Sequence, residues 1–183
     1  MGVTSALPRS RPLTYDDLEH LPDDDGHRYE LVDGTLIVTP SPSWLHQRAA
    51  MRLLVLLNEH CPSELEVFPA ALDVVFSPDT VLEPDVLVVR RSDLGRRVVE
   101  GVPVLAVEVL SPSTRRIDLG TKRLVFEARG VPSYWVVDPD EPSLTVFELE
   151  GSSYVEVTRV TGDEAWSAAR PYPVTVVPAA LVT

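Results

Sequence analysis

Two apolar runs in the middle of the chain constrain its fold more than any other feature. Residues 85–89 and 102–110 are nearly continuous in Val and Leu, which is typical of strands that are covered on both faces. We therefore expect both runs at the centre of a sheet. Each run nevertheless carries one acid, since Asp85 opens the first and Glu108 lies near the end of the second. Burying an unpaired carboxylate is costly, so each acid requires a partner or a function.

Shorter patterns predict the elements around these strands. Asp33-Gly34 suits the turn of a β-hairpin, Ser43 suits a helix N-cap, and Gly130 followed by Pro132 suits a helix end. We predict helices over 15–20, from Ser43 toward Pro62 and over 114–129, and strands over 29–32, 35–38, 65–68, 72–76 and 134–137. Residues 144–177 alternate apolar and polar side chains, which predicts two or three further antiparallel strands. We expect one α/β domain with a mixed sheet over residues 13–183, preceded by a mobile segment over residues 1–12.

Charge is distributed unevenly along the chain. The 183 residues include 28 Asp or Glu and 16 Lys or Arg, for a formal net charge of −12. This balance weighs against a nucleic-acid partner, because binding of polyphosphates normally leaves a basic footprint. Residues 84–130, however, contain nine basic and six acidic side chains. The segment that holds both buried acids is therefore locally basic, and the whole-chain charge does not describe it.

Several classes of protein are excluded by simple counts. The chain has one cysteine, Cys61, and so can form neither an internal disulfide nor a multi-cysteine zinc site. No apolar run approaches the ~20 residues that span a bilayer, and the N-terminal residues lack the apolar core of a signal peptide. We expect a cytoplasmic protein with no membrane partner.

The two strand acids suggest a metal site. Two carboxylates at neighbouring strand ends repel each other unless a cation lies between them, and hard oxygen ligands of this kind suit Mg²⁺ or Mn²⁺. Lys122, the only lysine, lies four residues after Asp118 on the helix that follows the Glu108 strand, so both side chains share one face of that helix. In the functional interpretation, the order of strand, short turn and helix returns the lysine over the end of the strand, where Glu108 lies. Structural pairing of each acid with an arginine, and a solvated Asp118–Lys122 pair, remain the alternatives.

A set of short motifs occurs in a fixed order along the chain. They are residues 27–34, Ser41-Pro42-Ser43 followed by His46-Gln47, residues 83–86, residues 107–114, Asp118 with Lys122, and residues 130–139. This ordered set resembles the Uma-type family of predicted bacterial restriction endonucleases, within the PD-(D/E)XK nuclease superfamily. The resemblance implies a restriction-endonuclease-like α/β fold, with a mixed β-sheet core flanked by helices and extended here by antiparallel C-terminal strands.

The resemblance also implies an activity, which is Mg²⁺-dependent hydrolysis of DNA phosphodiester bonds with Mn²⁺ as a substitute. Asp85, Glu108 and the Val109 carbonyl would hold the metal, and Glu30 would complete its shell. Leu110 stands where the superfamily carries a lysine, and Lys122 would take over that role from the following helix. DNA would bind weakly without metal, and cutting both strands of a duplex would suit a homodimer.

Further residues have subordinate roles under the same resemblance. His46, Gln47 and Asp118 are candidate accessory residues, and Arg115, Arg116 and Arg123 are candidate phosphate ligands. Because Leu110 departs from the superfamily pattern, the main alternative is a catalytically inactive nuclease-fold domain that binds nucleic acid or serves as a scaffold. A weaker alternative is a metal-dependent hydrolase of RNA or of another phosphate ester.

Overall fold

The computed structural model describes residues 11–22 and 26–183, so most of the predicted mobile segment lies outside the described residues. The chain forms, in order, α1 (Tyr15–Leu18), β1 (His27–Val32), β2 (Thr35–Pro40), α2 (Trp44–Glu59), β3 (Leu65–Pro69), β4 (Val74–Ser77), β5 (Thr80–Leu82), β6 (Val86–Arg90), β7 (Leu105–Val109), a π-helical segment (Ile117–Lys122), α3 (Arg123–Ala128), β8 (Ser133–Asp138), β9 (Ser143–Glu150), β10 (Ser153–Thr161), β11 (Trp166–Ala168) and β12 (Val174–Val176). Short 3-10 turns lie at Arg91–Asp93 and Pro178–Leu181.

The largest sheet has six strands in the order β10-β9-β8-β7-β6-β3. Only β7 and β8 run parallel, and the other neighbours are antiparallel. Every residue of β7 and the first four of β6 are buried. The prediction that these apolar runs form central strands is confirmed, although β7 begins only at Leu105.

Helices cover the two faces of this sheet. Ala49, Leu53 and Leu57 of α2 pack with Val86, Val88 and Val107 on one face. Phe126 of α3 packs with Ala106 and Tyr134 on the other. This double coverage explains why the central strands are apolar throughout, and it confirms the α/β class and the mixed sheet.

A smaller sheet in the order β2-β1-β5-β4 packs alongside. Its hairpin turns at Asp33 and Gly34, whose φ angles of 48° and 73° match the predicted turn. Strand β5 was not predicted, because three residues between turn residues are too short to display a period of two. Along the chain, β5 ends just before Asp85 and pairs with β1 through Leu31 and Val81.

The C-terminal region is more divided than expected. It contains four strands rather than two or three, because β11 and β12 form a separate two-stranded sheet. The predicted helix over 114–129 includes a π-helical segment before α3. No helix in the described part of the chain is both long and apolar enough to cross a bilayer.

Candidate active site

The register of the central strands brings the two conspicuous acids together. Val86 of β6 pairs with Val107 of the antiparallel β7, so the adjoining positions, Asp85 and Glu108, lie opposite each other. Both side chains line a cleft of about 210 Å³ at this end of the sheet. The other titratable side chains that line the cleft are Arg28, His46, Asp118, Lys122 and Asp140.

Asp85 is a hub of polar contacts. Its Oδ1 accepts a hydrogen bond of 2.9 Å from Nη1 of Arg28, and its Oδ2 accepts one of 2.8 Å from the Val109 N–H. His46 Nε2 lies 3.0 Å from Oδ2. Burial alone would raise the pKa of Asp85, but the contacts with His46, Arg28 and the Val109 N–H outweigh it and lower the pKa to about 2. Asp85 is therefore an ionised carboxylate at neutral pH.

Lys122 also lines the cleft and is buried, with 2 % of its surface exposed. Its Nζ donates to Glu108 Oε1 at 3.0 Å and lies 2.8 Å from Glu30 Oε1. Asp118 Oδ1 is 3.9 Å away. Burial alone would lower the pKa of Lys122, but these three carboxyl groups raise it above its usual value. Lys122 is thus a fixed cation rather than a proton acceptor.

Lys122 is the last residue of the π-helical segment. A π-helix widens the turn by one residue and changes which side chains face inward. Here Asp118 and Lys122 are the two buried residues of the segment, and the Tyr134 hydroxyl donates to the Asp118 carbonyl at 2.9 Å. Asp118 and Lys122 lie close together, as predicted, and both side chains line the cleft instead of facing solvent.

Carboxyl groups outnumber cations in this region. Among the described residues, five carboxyl groups share two permanent cations, Arg28 and Lys122; the carboxyl groups are those of Glu30, Glu83, Asp85, Glu108 and Asp118. Burial raises the pKa of Glu83 to about 7 and that of Asp118 to about 6. Burial, reinforced by Asp118, Asp85 and Glu30, also raises the pKa of Glu108 despite Lys122. The site is therefore short of positive charge at neutral pH.

This donor set fits a hard divalent cation in chemical type and in charge. Side chains alone do not complete a coordination shell. No group of three or more His, Cys, Asp or Glu side chains within residues 11–22 and 26–183 is arranged to hold a metal ion. Asp85 and Glu108 would supply two ligands, and backbone carbonyls, water or substrate oxygens would supply the rest. Mg²⁺ is commonly bound in this way, through one or two carboxylates.

Glu30 lies beside Lys122. It is buried but is not among the described residues that line the cleft. Its Oε1 accepts a hydrogen bond of 2.8 Å from the Glu83 N–H and also contacts Lys122. Its Oε2 has no hydrogen-bond partner among the described residues. Glu30 therefore contacts the Lys122 ammonium directly, and its role in a metal shell stays a prediction.

The other predicted residues are dispersed. His46 lines the cleft, whereas the exposed Gln47 lines a neighbouring cleft. Arg115 pairs with Asp138, the Arg123 guanidinium lies 5.4 Å from the centre of the Phe147 ring, and Arg116 is exposed. None of these three arginines is among the described residues that line the cleft of Asp85 and Glu108.

Sequence reasoning missed Arg28. Its Nε lies 2.7 Å from Glu83 Oε1 and its Nη1 contacts Asp85, so it joins two acids at the cleft. The signal was present, because the period of two along β1 places Arg28 and Glu30 on the same face. It also missed the hydroxyl cluster at the rim, where Ser111 Oγ lies 2.9 Å from both Ser113 Oγ and Thr114 Oγ1.

Comparisons with known proteins agree with this architecture. Residues 15–180 match the model of the Uma2 family, which is described as "Putative restriction endonuclease". The fold is similar to the crystal structure of a protein from Anabaena variabilis ATCC 29413, described as a "putative nuclease belonging to DUF820". The two share 22 % identity with a TM-score of 0.71, over 93 % of this chain and 98 % of that one. No curated protein matches the sequence.

Proposed function

We propose that this chain, which belongs to the Uma2 family, is a nuclease that hydrolyses phosphodiester bonds of DNA with Mg²⁺, for which Mn²⁺ can substitute. The observation that carries the proposal is the meeting of Asp85, Glu108 and the buried Lys122 at one cleft. Family membership supports nuclease activity, and the excess of carboxyl groups supports a divalent cation.

Asp85, Glu108 and the Val109 carbonyl would hold the metal. A bound Mg²⁺ would polarise the phosphoryl oxygen, lower the pKa of a water and balance charge on the leaving oxygen. Asp85 is suited to this place because its low pKa keeps it ionised. Its contacts with Arg28, His46 and the Val109 N–H fix the orientation of the carboxylate before a metal arrives.

Lys122 would act as an electrostatic group. Because its raised pKa keeps the ammonium charged, it would donate hydrogen bonds to the attacking water and offset the charge that develops on the phosphate. Glu30 and Glu108 hold the ammonium in place, which makes Glu30 a positioning residue. Arg28 lines the cleft as a second fixed cation and would contact a phosphate oxygen.

DNA is the proposed partner, with weak binding in the absence of metal. The cleft carboxylates repel phosphate until a cation neutralises them, so affinity should rise when a divalent ion is added. We also propose a homodimer, because two sites related by a two-fold axis can cut both strands of a duplex. Light scattering of the purified chain, with and without duplex DNA, tests this assembly.

One observation favours the inactive alternative. Leu110 is buried and lines the cleft at the place where the superfamily carries a lysine, so an apolar side chain stands where a proton donor is expected. The two functions differ in a simple assay. A nuclease nicks plasmid DNA with Mg²⁺ or Mn²⁺ and loses this activity in Lys122→Ala, whereas an inactive domain binds DNA without cutting it.

The same assay is repeated with a chelator of divalent ions and with an RNA substrate. Cleavage that survives chelation of divalent ions would contradict the metal, and full activity of Lys122→Ala would contradict the role of that lysine. Replacing the plasmid by RNA of matched length tests the hydrolase alternative. Preferential cleavage of the RNA would replace DNA as the proposed substrate.

A further inference from the structure

A second cleft of about 380 Å³ adjoins the candidate active site. Arg28, Pro42, His46 and Asp85 line both clefts. The side chains that separate the two spaces are therefore the hydrogen-bonded group of Asp85 with Arg28 and His46. A ligand that spans both clefts would therefore contact this shared group.

The second cleft differs in chemistry from the first. Away from the shared wall and Glu83, the described residues that line it are small or apolar apart from a single amide, namely Ala50, Met51, Pro69, Ala70, Ala71 and Gln47. Glu83 is already paired with Arg28. Met51 is 59 % exposed, so the apolar wall is open to an incoming group. Such a space suits a flat apolar ligand that has a hydrogen-bonding edge.

We propose that the second cleft binds a nucleobase of the strand whose phosphate occupies the first cleft. This inference rests on the proposed nuclease function and specifies its substrate. The faces of the base pack against Met51, Pro42 and Pro69, since thioether groups make favourable contacts with aromatic rings. The Gln47 amide, with one donor group and one acceptor, pairs with the base edge, as such amides do with adenine.

A base bound in the second cleft favours single-stranded over double-stranded DNA as the ligand. A base inside a duplex is stacked on both faces and must leave the stack to enter a protein pocket. Single-stranded or locally unpaired DNA therefore enters this cleft at a lower cost of unpairing and unstacking. We expect the chain to prefer single-stranded DNA to a duplex of the same sequence.

Binding of a fluorescent single-stranded oligonucleotide tests the cleft directly. The full chain is added in increasing amounts to the labelled oligonucleotide in a buffer that contains Ca²⁺, and fluorescence anisotropy reports binding. Gln47→Ala and Met51→Ala are each expected to raise Kd by about tenfold, the loss expected for one base contact. Asn58→Ala and Val55→Ala are matched controls, because they remove an exposed amide and an exposed apolar side chain from α2 outside the cleft.

An oligonucleotide with the same backbone but no bases provides the complementary test. The wild type should bind it about tenfold more weakly, and Gln47→Ala should not weaken it further. Equal affinity of the wild type for both oligonucleotides, or no measurable binding of either, would overturn the inference. Failure of the proposed nuclease function is separate, because it appears as absence of Mg²⁺-dependent cleavage by the wild type.

Discussion

Replacing Lys122 by methionine should lower the stability of the fold, because the Lys122 ammonium neutralises buried carboxylates. The substitution keeps an unbranched side chain, one atom shorter than lysine, but removes the ammonium that lies 2.8 Å from Glu30 and 3.0 Å from Glu108. Removing one partner of a buried ion pair costs about 3–5 kcal/mol. For a chain of this size that corresponds to a fall in Tm of roughly 6 to 20 °C near neutral pH.

The loss of stability in Lys122→Met should depend on pH. Without the ammonium, the buried carboxyl groups must take up protons to remain in the folded state. Each such proton costs about 1.4 kcal/mol for every pH unit above the ordinary pKa of the carboxyl group. Lys122→Met should therefore be destabilised more at about pH 8 than at about pH 5, whereas the wild type should show a smaller difference.

Urea denaturation in the presence of a chelator, at both pH values, measures the effect. Arg116→Met is the matched control, because it removes an exposed cation that precedes the same π-helical segment. Adding Glu30→Gln to Lys122→Met should recover part of the lost stability, since one of the unbalanced acids is then gone. A loss below about 1 kcal/mol, or an equal loss at both pH values, would refute the assigned balance of charge.

Three further predictions concern stability without metal. Asp118→Asn should stabilise the protein at about pH 8 by at most about 3 kcal/mol, because the buried carboxyl has a pKa raised to about 6; an unchanged Tm there would contradict it. For the wild type, Glu83 and Asp118 have pKa values raised to about 7 and about 6, so the folded state holds more protons than the unfolded state. Its free energy of unfolding should thus fall as pH rises from about 4 to 7, and denaturation that shows a rise instead would refute the burial of these acids. Gly34→Ala should lower the free energy of unfolding by about 1 kcal/mol or more, because φ is 73° and the added Cβ would meet Pro12; full stability would contradict the strained turn.

Much of the fold could be predicted because its signals are local. The continuous Val and Leu runs identify central strands, since only burial on both faces permits such composition. The dipeptide Asp33-Gly34 identifies the hairpin because it satisfies positive φ angles. The π-helical segment could not be predicted, because side chains at a spacing of four fit an ordinary helix equally well and nothing local distinguishes the wider turn.

The candidate site was predicted less completely because it depends on contacts between distant segments. Asp85 and Glu108 could be paired from neighbouring strands, but their opposition depends on the register of β6 against β7. Arg28 is 57 positions from Asp85 in the sequence. The alternation along β1 places Arg28 on the same face as Glu30, but it does not specify Asp85 as the partner. The contact of Glu30 with Lys122 likewise joins two segments that are far apart in the sequence.

Calorimetric titration of Mg²⁺ and Mn²⁺ tests the central claim most directly. The wild type should bind a divalent ion, and Asp85→Asn/Glu108→Gln should lose that binding, because both carboxylate ligands become amides of nearly the same shape. Asp138→Asn, which alters a strand acid paired with Arg115, should bind metal like the wild type. Equal affinity of the wild type and the double variant for Mg²⁺ and Mn²⁺ would contradict a metal site formed by Asp85 and Glu108.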